Sequence, residues 1–327
     1  LKHYGKNFRF LKPAFSKFSN KDLIKFFEEK GLAMITQTNG KIFPKSLQAK
    51  DALDVLTKAC PKISYNEKIL NAKKIDKHFE VKTNLKTYTC QKLIIATGGK
   101  SYPHTGSTGD GYSLAKSFGH TIIEPRPALS PIRIRNYKFQ DLSGVSLPNI
   151  SISLYRDNKK IQETVGDLLF THTGLSGPGI LNFSRYIHPH DTLKINFTNL
   201  NPEKLKEKII AGKFSLKDLK LPKSLTEALN LPKDLTNLSK QDRNLLIQNL
   251  CAHPFEVQSI GNFEIAMVTA GGVSLKEVSP KTMQSHLVEG LYFTGEILDI
   301  DGDTGGYNLQ AAFSTAYLAC KNQSIKV

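Results

Sequence analysis

Three short stretches place glycine and a polar residue at or near the end of an apolar run: Ala96-Thr97-Gly98-Gly99, Thr294-Gly295-Glu296 and Asp303-Thr304-Gly305-Gly306-Tyr307-Asn308. Glycine lets the backbone approach a ligand closely. In an open α/β sheet, ligands bind beyond the carboxyl ends of the strands. The run from Gly306 through Asn308, Leu309 and Gln310 is rich in small residues and reads as a glycine-led helix. A helix start presents N–H groups and partial positive charge to phosphate or to an electron-rich ring edge. Glu296, at a strand end, suits hydrogen bonds from sugar hydroxyls. A single turn of this kind is ordinary loop chemistry. Three of them, spread over two α/β segments of one chain, point to a bound ligand.

Other stretches carry weaker chemistry. Thr105-Gly-Ser-Thr-Gly-Asp-Gly111 looks like a phosphate loop but has no lysine of the GxxxxGK[ST] type, which argues against an NTPase. His172, inside Gly166–Ile180, is an acid/base candidate, although a lone histidine is more often structural. LSGPG is not the GxSxG elbow of a hydrolase. Asp299, Asp301 and Asp303 alternate as in a calcium loop, but the glycine and the bidentate glutamate of such a loop are missing. Cys60, Cys90, Cys251 and Cys320 have neither CxxC nor CxxH spacing, so a thiolate metal site is not expected. Few cysteines and no visible signal peptide give the expectation of a cytoplasmic protein.

The elements that must position these residues can be outlined. Residues 13–30 predict an amphipathic helix, capped by Ser19 or Asn20 and ended by Gly31, and 47–59 predict another. Alternation over 62–90 predicts a small antiparallel sheet. Lys92-Leu-Ile-Ile-Ala-Thr-Gly-Gly99 is a short unbroken apolar run of the kind found in buried parallel strands. A helix follows at 111–118. Residues 125–197 have β texture, and 201–252 read as several short helices. Strands are expected at 263–270 and 290–296, and a helix at 305–319. The expected fold class is therefore α/β, with a sheet domain formed by 1–124 and 263–327. A β-rich insertion spans 125–198 and its helical lobe spans 199–262.

The chain has 327 residues, 39% of them hydrophobic, enough for a sizeable core. No stretch approaches the roughly 18 apolar residues of a membrane helix. Net charge is +16, from 38 lysines and 7 arginines against 29 acids. Such a balance permits an anionic partner. The scatter of the lysines and the scarcity of arginine argue against a nucleic-acid reader, so a small-molecule substrate is expected. A basic, non-catalytic nucleic-acid-binding protein is the alternative.

Taken together, LIIATGGKSYPHTGSTGDGYSLAKSFGH, PALSPIRI, GDLLFTHTGLSGPGIL, VTAGGVSLKEVSPKTMQS and GLYFTGEILDIDGDTGGYNLQAAFSTA resemble the bacterial FAD-dependent oxidoreductases related to aminoacetone oxidase. The similarity runs from about residue 8 to residue 320. It implies a Rossmann-like FAD domain of the two-dinucleotide-binding type, carrying an inserted β-barrel-like domain and a small helical lobe. It implies that Thr97, Gly98 and Gly99 form a loop beside the FAD and that Gly295 and Glu296 meet the ribityl chain. Gly305, Gly306, Asn308, Leu309 and Gln310 would lie against the isoalloxazine and pyrophosphate side, with Asp301 in the same cofactor-binding set. The TGSTGDGY and FTHTGLSGP loops would wall the flavin-facing cavity. The reaction implied is hydride transfer between a small organic substrate and flavin N5, with NAD(P)H at most a transient partner. His172 and Tyr102 are the residues to test as its acid or base.

One departure from the family pattern is large. Members begin with a strand, GxGxxG, a helix and an acidic strand end, and no such βαβ unit occurs here. The chain opens with Leu1, and an N-terminally truncated product, even an inactive remnant, is expected. Without that unit the pyrophosphate lacks its main helix N-terminus. The chain alone is therefore expected to bind FAD weakly or not at all and to be poorly stable.

Overall fold

The computed structural model describes residues 2–60, 62–232, 234–235 and 238–321. They divide into two units, one made of 1–126 with 268–327 and the other of 127–267.

The first unit opens with two helices, α1 (Phe8–Lys17) and α2 (Asn20–Glu29). A single helix over 13–30 is thus corrected. Phe18 is extended, and Ser19 starts a new helix through a capping box with Asp22. Each partner of that box satisfies a backbone N–H that a helix start would otherwise leave unpaired. A small hairpin follows, β1 (Met34–Thr36) with β2 (Ile42–Pro44), and then α3 (Ala49–Ala59). The antiparallel sheet is β3 (Ile69–Ile75), β4 (His78–Thr83) and β5 (Thr87–Cys90). Its Phe79 and Val81 are buried, whereas Glu80 and Lys73 pair on the opposite face at 2.9 Å. After β6 (Leu93–Ile95) come α4 (Asp110–Ser117) and β7 (Ile122–Ala128).

The second unit is built on a closed barrel of six strands. These are β8 (Ile132–Ile134), β9 (Ser146–Arg156), β10 (Lys159–Phe170), β11 (Gly174–Ser176), β12 (Thr192–Asn196) and β13 (His253–Ile260). Their order around the barrel is β10-β11-β8-β13-β12-β9, antiparallel throughout. Alternation explains the interior. Ile150, Ile152 and Leu154 of β9 are buried, while Ser151 and Ser153 between them point outward to Glu163. Closure removes the unpaired edges that an open six-stranded sheet would expose. The helix α5 (Pro178–Phe183) packs on β10. The lobe is α6 (Pro202–Ile210), α7 (Lys223–Ala228) and α8 (Lys240–Cys251), with Leu205, Ile209, Leu246 and Leu250 in its core.

The chain returns to the first unit through β14 (Val268–Val273), which pairs with β7. A strand expected at 263–270 in fact begins at 268, because residues 263–265 form a turn closed on Asn262. Last come β15 (Leu291–Phe293) and α9 (Tyr307–Lys321). The core of this unit gathers Phe79, Ile95, Tyr112, Phe293, Ile297 and Leu318.

Candidate cofactor site

β6 and β15 pair in parallel, Leu93 with Leu291, Ile94 with Tyr292 and Ile95 with Phe293. Their carboxyl ends therefore lie side by side, and both continue into glycine turns. Thr294 N–H donates to the Ile95 carbonyl at 3.2 Å, which extends the pairing to the turn.

Thr269, at the start of β14, ties the two turns together. Its hydroxyl accepts from the backbone N–H groups of Lys100 and Ser101 at 2.8 and 3.1 Å. Its own N–H donates to Glu296 Oε1 at 2.9 Å. Gly99 is buried in the angle, where a Cβ would fall inside contact distance of Glu296 and of Thr269. No larger residue fits there.

The third turn reaches the same place. Gly295 N–H donates to Thr315 Oγ1 of α9 at 3.0 Å. Asn308 closes the preceding loop, accepting from Gly302 N–H at 2.7 Å and donating to its carbonyl at 3.0 Å. Gly305 and Gly306 have φ of 123° and 89°, values that favour glycine, and a Cβ on Gly306 would project into open space. Glu296 and Asn308 share a small crevice with Gly295 and Thr315. Glu296 thus touches Gly99 on one side and shares a crevice with the α9 start on the other. Leu309 stands 67% exposed in the first turn of α9, and Gln310 Nε2 donates to Ser314 Oγ at 2.9 Å.

Burial pushes the Glu296 carboxyl up, and the charge of half-buried Asp301 adds to that, against the stabilising Thr269 N–H. Tyr112 of α4 is buried, and among the described residues its hydroxyl has no hydrogen-bond partner. Burial pushes its pKa up, and the charges of Glu296 and Asp299 push it further, so the phenol stays protonated. The acidic run is used in part structurally. Asp303 takes His3 at 3.0 Å, and the Asp299 carbonyl takes Asn7 Nδ2 at 2.7 Å.

The acid/base candidates fall in different units. Tyr102 follows the 96–101 loop, with φ of 54° and an exposed ring against His104. His172 is exposed between β10 and β11 of the barrel. Sequence reasoning gave no role to Thr269 and included Tyr112 only as the end of the TGSTGDGY loop. Their signals, the threonine of VTAGGV and the tyrosine of TGDGY, stood within motifs read for their glycines.

The residues present fit the isoalloxazine and ribityl end of a flavin. A helix start leaves its first N–H groups without intrahelical partners. Here such a start is approached through Gly306, which faces open space, is flanked by an exposed leucine, and belongs to the unit that holds a buried phenol with no hydrogen-bond partner among the described residues.

Comparison with known proteins settles the lineage. Residues 1–322 match the model of the HI0933-like protein Rossmann domain. The chain belongs to the HI0933-like family. It is 34% identical to a ribosomal RNA dihydrouridine synthase of Haemophilus influenzae, over 97% of this chain and 83% of that protein. It is 32% identical to the ribosomal RNA dihydrouridine synthase of Escherichia coli, over 99% and 84%. A 3-dehydro-bile acid delta(4,6)-reductase of Clostridium scindens is 28% identical over 97% and 83%. Membership and the reductase relative place the chain among flavin-dependent oxidoreductases of α/β fold, with FAD following from the family. Among the described residues no helix is long and apolar enough to cross a membrane.

Proposed function

We propose that this protein is an FAD-dependent reductase that saturates a carbon–carbon double bond conjugated to a carbonyl, with a uridine in RNA as its substrate. The reading rests on the common chemistry in the relatives' names. Converting uridine to dihydrouridine saturates a double bond conjugated to the C4 carbonyl. Reducing a 3-dehydro delta(4,6) steroid saturates one conjugated to a ketone. Charge favours the RNA substrate: residues 1–126 carry 23 basic and 10 acidic side chains, +13 of the total +16.

The chemistry that FAD supplies when bound is hydride transfer from N5, with NAD(P)H as a transient donor. The chain's own residues bind and orient. Thr97, Gly98 and Gly99 line one side, and Gly305, Gly306, Asn308 and Gln310 present the helix start. Leu309 covers an apolar face, Gly295 and Glu296 meet the ribityl hydroxyls, and burial, with a smaller contribution from the charge of Asp301, keeps Glu296 from ionising freely. Tyr102 O–H delivers the proton to the carbon next to the carbonyl, and His172 is the other candidate. The barrel with its helical lobe is read as an insertion into the FAD domain. The pyrophosphate and adenosine would need a GxGxxG unit that these 327 residues do not contain.

A second reading, reduction of a small organic enone, is favoured by the bile-acid relative and by the presence of only 7 arginines. Mass spectrometry of ribosomal RNA from cells with and without the gene separates the two. The expected result is one dihydrouridine lost on deletion and restored by the wild-type gene. Restoration by Tyr102→Phe or His172→Ala should fall short in whichever variant removes the acid. Unchanged RNA, with turnover of a steroid dienone by the purified protein, would establish the second reading. Unchanged RNA with no enone turnover would overturn both.

A further inference from the structure

The second unit contains a cavity of about 440 Å³ that none of the residues discussed above uses. It lies where the chain leaves β8 and enters β13, and α7 and α8 of the helical lobe form its other side. Its size is within the ~300–1,000 Å³ usual for small-molecule sites.

The lining sorts by chemistry. The floor is aromatic: Phe139 and Phe255 are buried with ring centroids 5.2 Å apart. Tyr137 stands beside them, fixed by its hydroxyl to the Gly174 carbonyl at 2.9 Å. His253 packs edge-on against Phe139 at 5.3 Å. Its Nδ1 is buried without a hydrogen-bond partner among the described residues, so its pairing capacity is not used up by the protein. Asn249 and Asn230 add two amides to the wall. The rim is charged. Arg135 is braced by Glu256 at 2.9 Å and reaches His190 at 3.2 Å, and the exposed Lys138 lies three residues further along the same loop.

An aromatic floor suits a planar ring. Amides and a neutral imidazole read the donor and acceptor edge of a heterocycle, and two cations at the rim suit a phosphate. We propose that this cavity is a second ligand site that binds a mononucleotide unit, base on the Phe139–Phe255 floor and phosphate at Arg135 and Lys138. Its argument is independent of the reductase reading. The unit can be a free nucleotide or one residue of an RNA chain, and the chemistry is the same.

The test uses the full chain, titrated with and without excess FAD, so that nucleotide binding in the first unit is told apart from binding at the cavity. Uridine 5′-monophosphate is titrated calorimetrically into wild type, Lys138→Glu and Asn249→Leu. Both substitutions are at the cavity's rim and wall and spare the aromatic floor. Saturable binding is expected, weakened about fivefold or more by the charge reversal at Lys138 and weakened also by Asn249→Leu. Uridine without phosphate should bind less tightly than the monophosphate and be insensitive to Lys138→Glu. Binding of a uridine hexamer about tenfold tighter than the monomer identifies RNA as the source, and equal binding identifies the free nucleotide. No saturable binding, or binding identical in all three proteins, overturns the proposal.

Discussion

Glu296 holds a proton more readily than an exposed carboxylate because it is largely shielded from solvent, and it packs where a side chain on Gly99 would stand. The one hydrogen bond it accepts from the Thr269 backbone also fixes the start of β14 against the 96–101 loop. Substituting Gly99→Ala puts a methyl group where Glu296 Oε1 and Thr269 already sit. Overpacking of this kind costs about 1–3 kcal/mol. The expected outcome is a loss of roughly 2 kcal/mol in urea unfolding, together with loss of bound flavin. An unchanged midpoint would show that the loop and Glu296 are not packed as described. The glycine was legible in the sequence as a close-approach residue, since ATGG ends an apolar run. What approaches it was not legible, because Glu296 and Thr269 lie 197 and 170 residues away along the chain.

At the scale of elements, the sequence was clearest where one periodicity ruled. The alternating runs of β9 and β12, the apolar run of β6 and the glycine-led α9 all follow from spacing. It was least clear where a local signal competed with a longer one. Phe15 and Phe18 continue the apolar pattern of α2 backwards, yet the Ser19–Asp22 capping box wins and starts a separate helix. Strand order was out of reach: the β6–β15 pairing joins residues about 200 apart and leaves no local trace. One element carries a pH prediction. His253, the first residue of β13, sits among Phe139, Phe197 and Phe255, and burial lowers its pKa from 6.5 to about 4. Between those values the unfolded chain binds the proton and the folded chain does not. The neutral ring's contribution is therefore complete above pH 6.5 and declines as pH falls toward 4. It amounts to at most about 3 kcal/mol. Thermal unfolding followed from pH 7 to 4 should show this acid loss, and His253→Phe should reduce it. A variant that loses stability with acid as steeply as the wild type would contradict the assignment.

At the scale of the molecule, one unit gathers three glycine turns at the end of a parallel strand pair, and the other is a closed barrel with a helical lobe. The charge is as unevenly divided as the chemistry, with most of the net positive charge in residues 1–126. The three turns are the place we propose for the flavin that family membership implies. The most direct test is a titration of FAD against the purified chain, followed by flavin fluorescence, beside the variant Leu309→Asp. Leu309 is 67% exposed, so the substitution should leave the thermal midpoint unchanged. The account predicts weak but saturable quenching in the wild type and about tenfold weaker binding in the variant, the loss expected for one apolar side chain that covers a ring. Absence of saturable quenching, or equal affinity in the two proteins, would contradict the claim that these turns hold the cofactor.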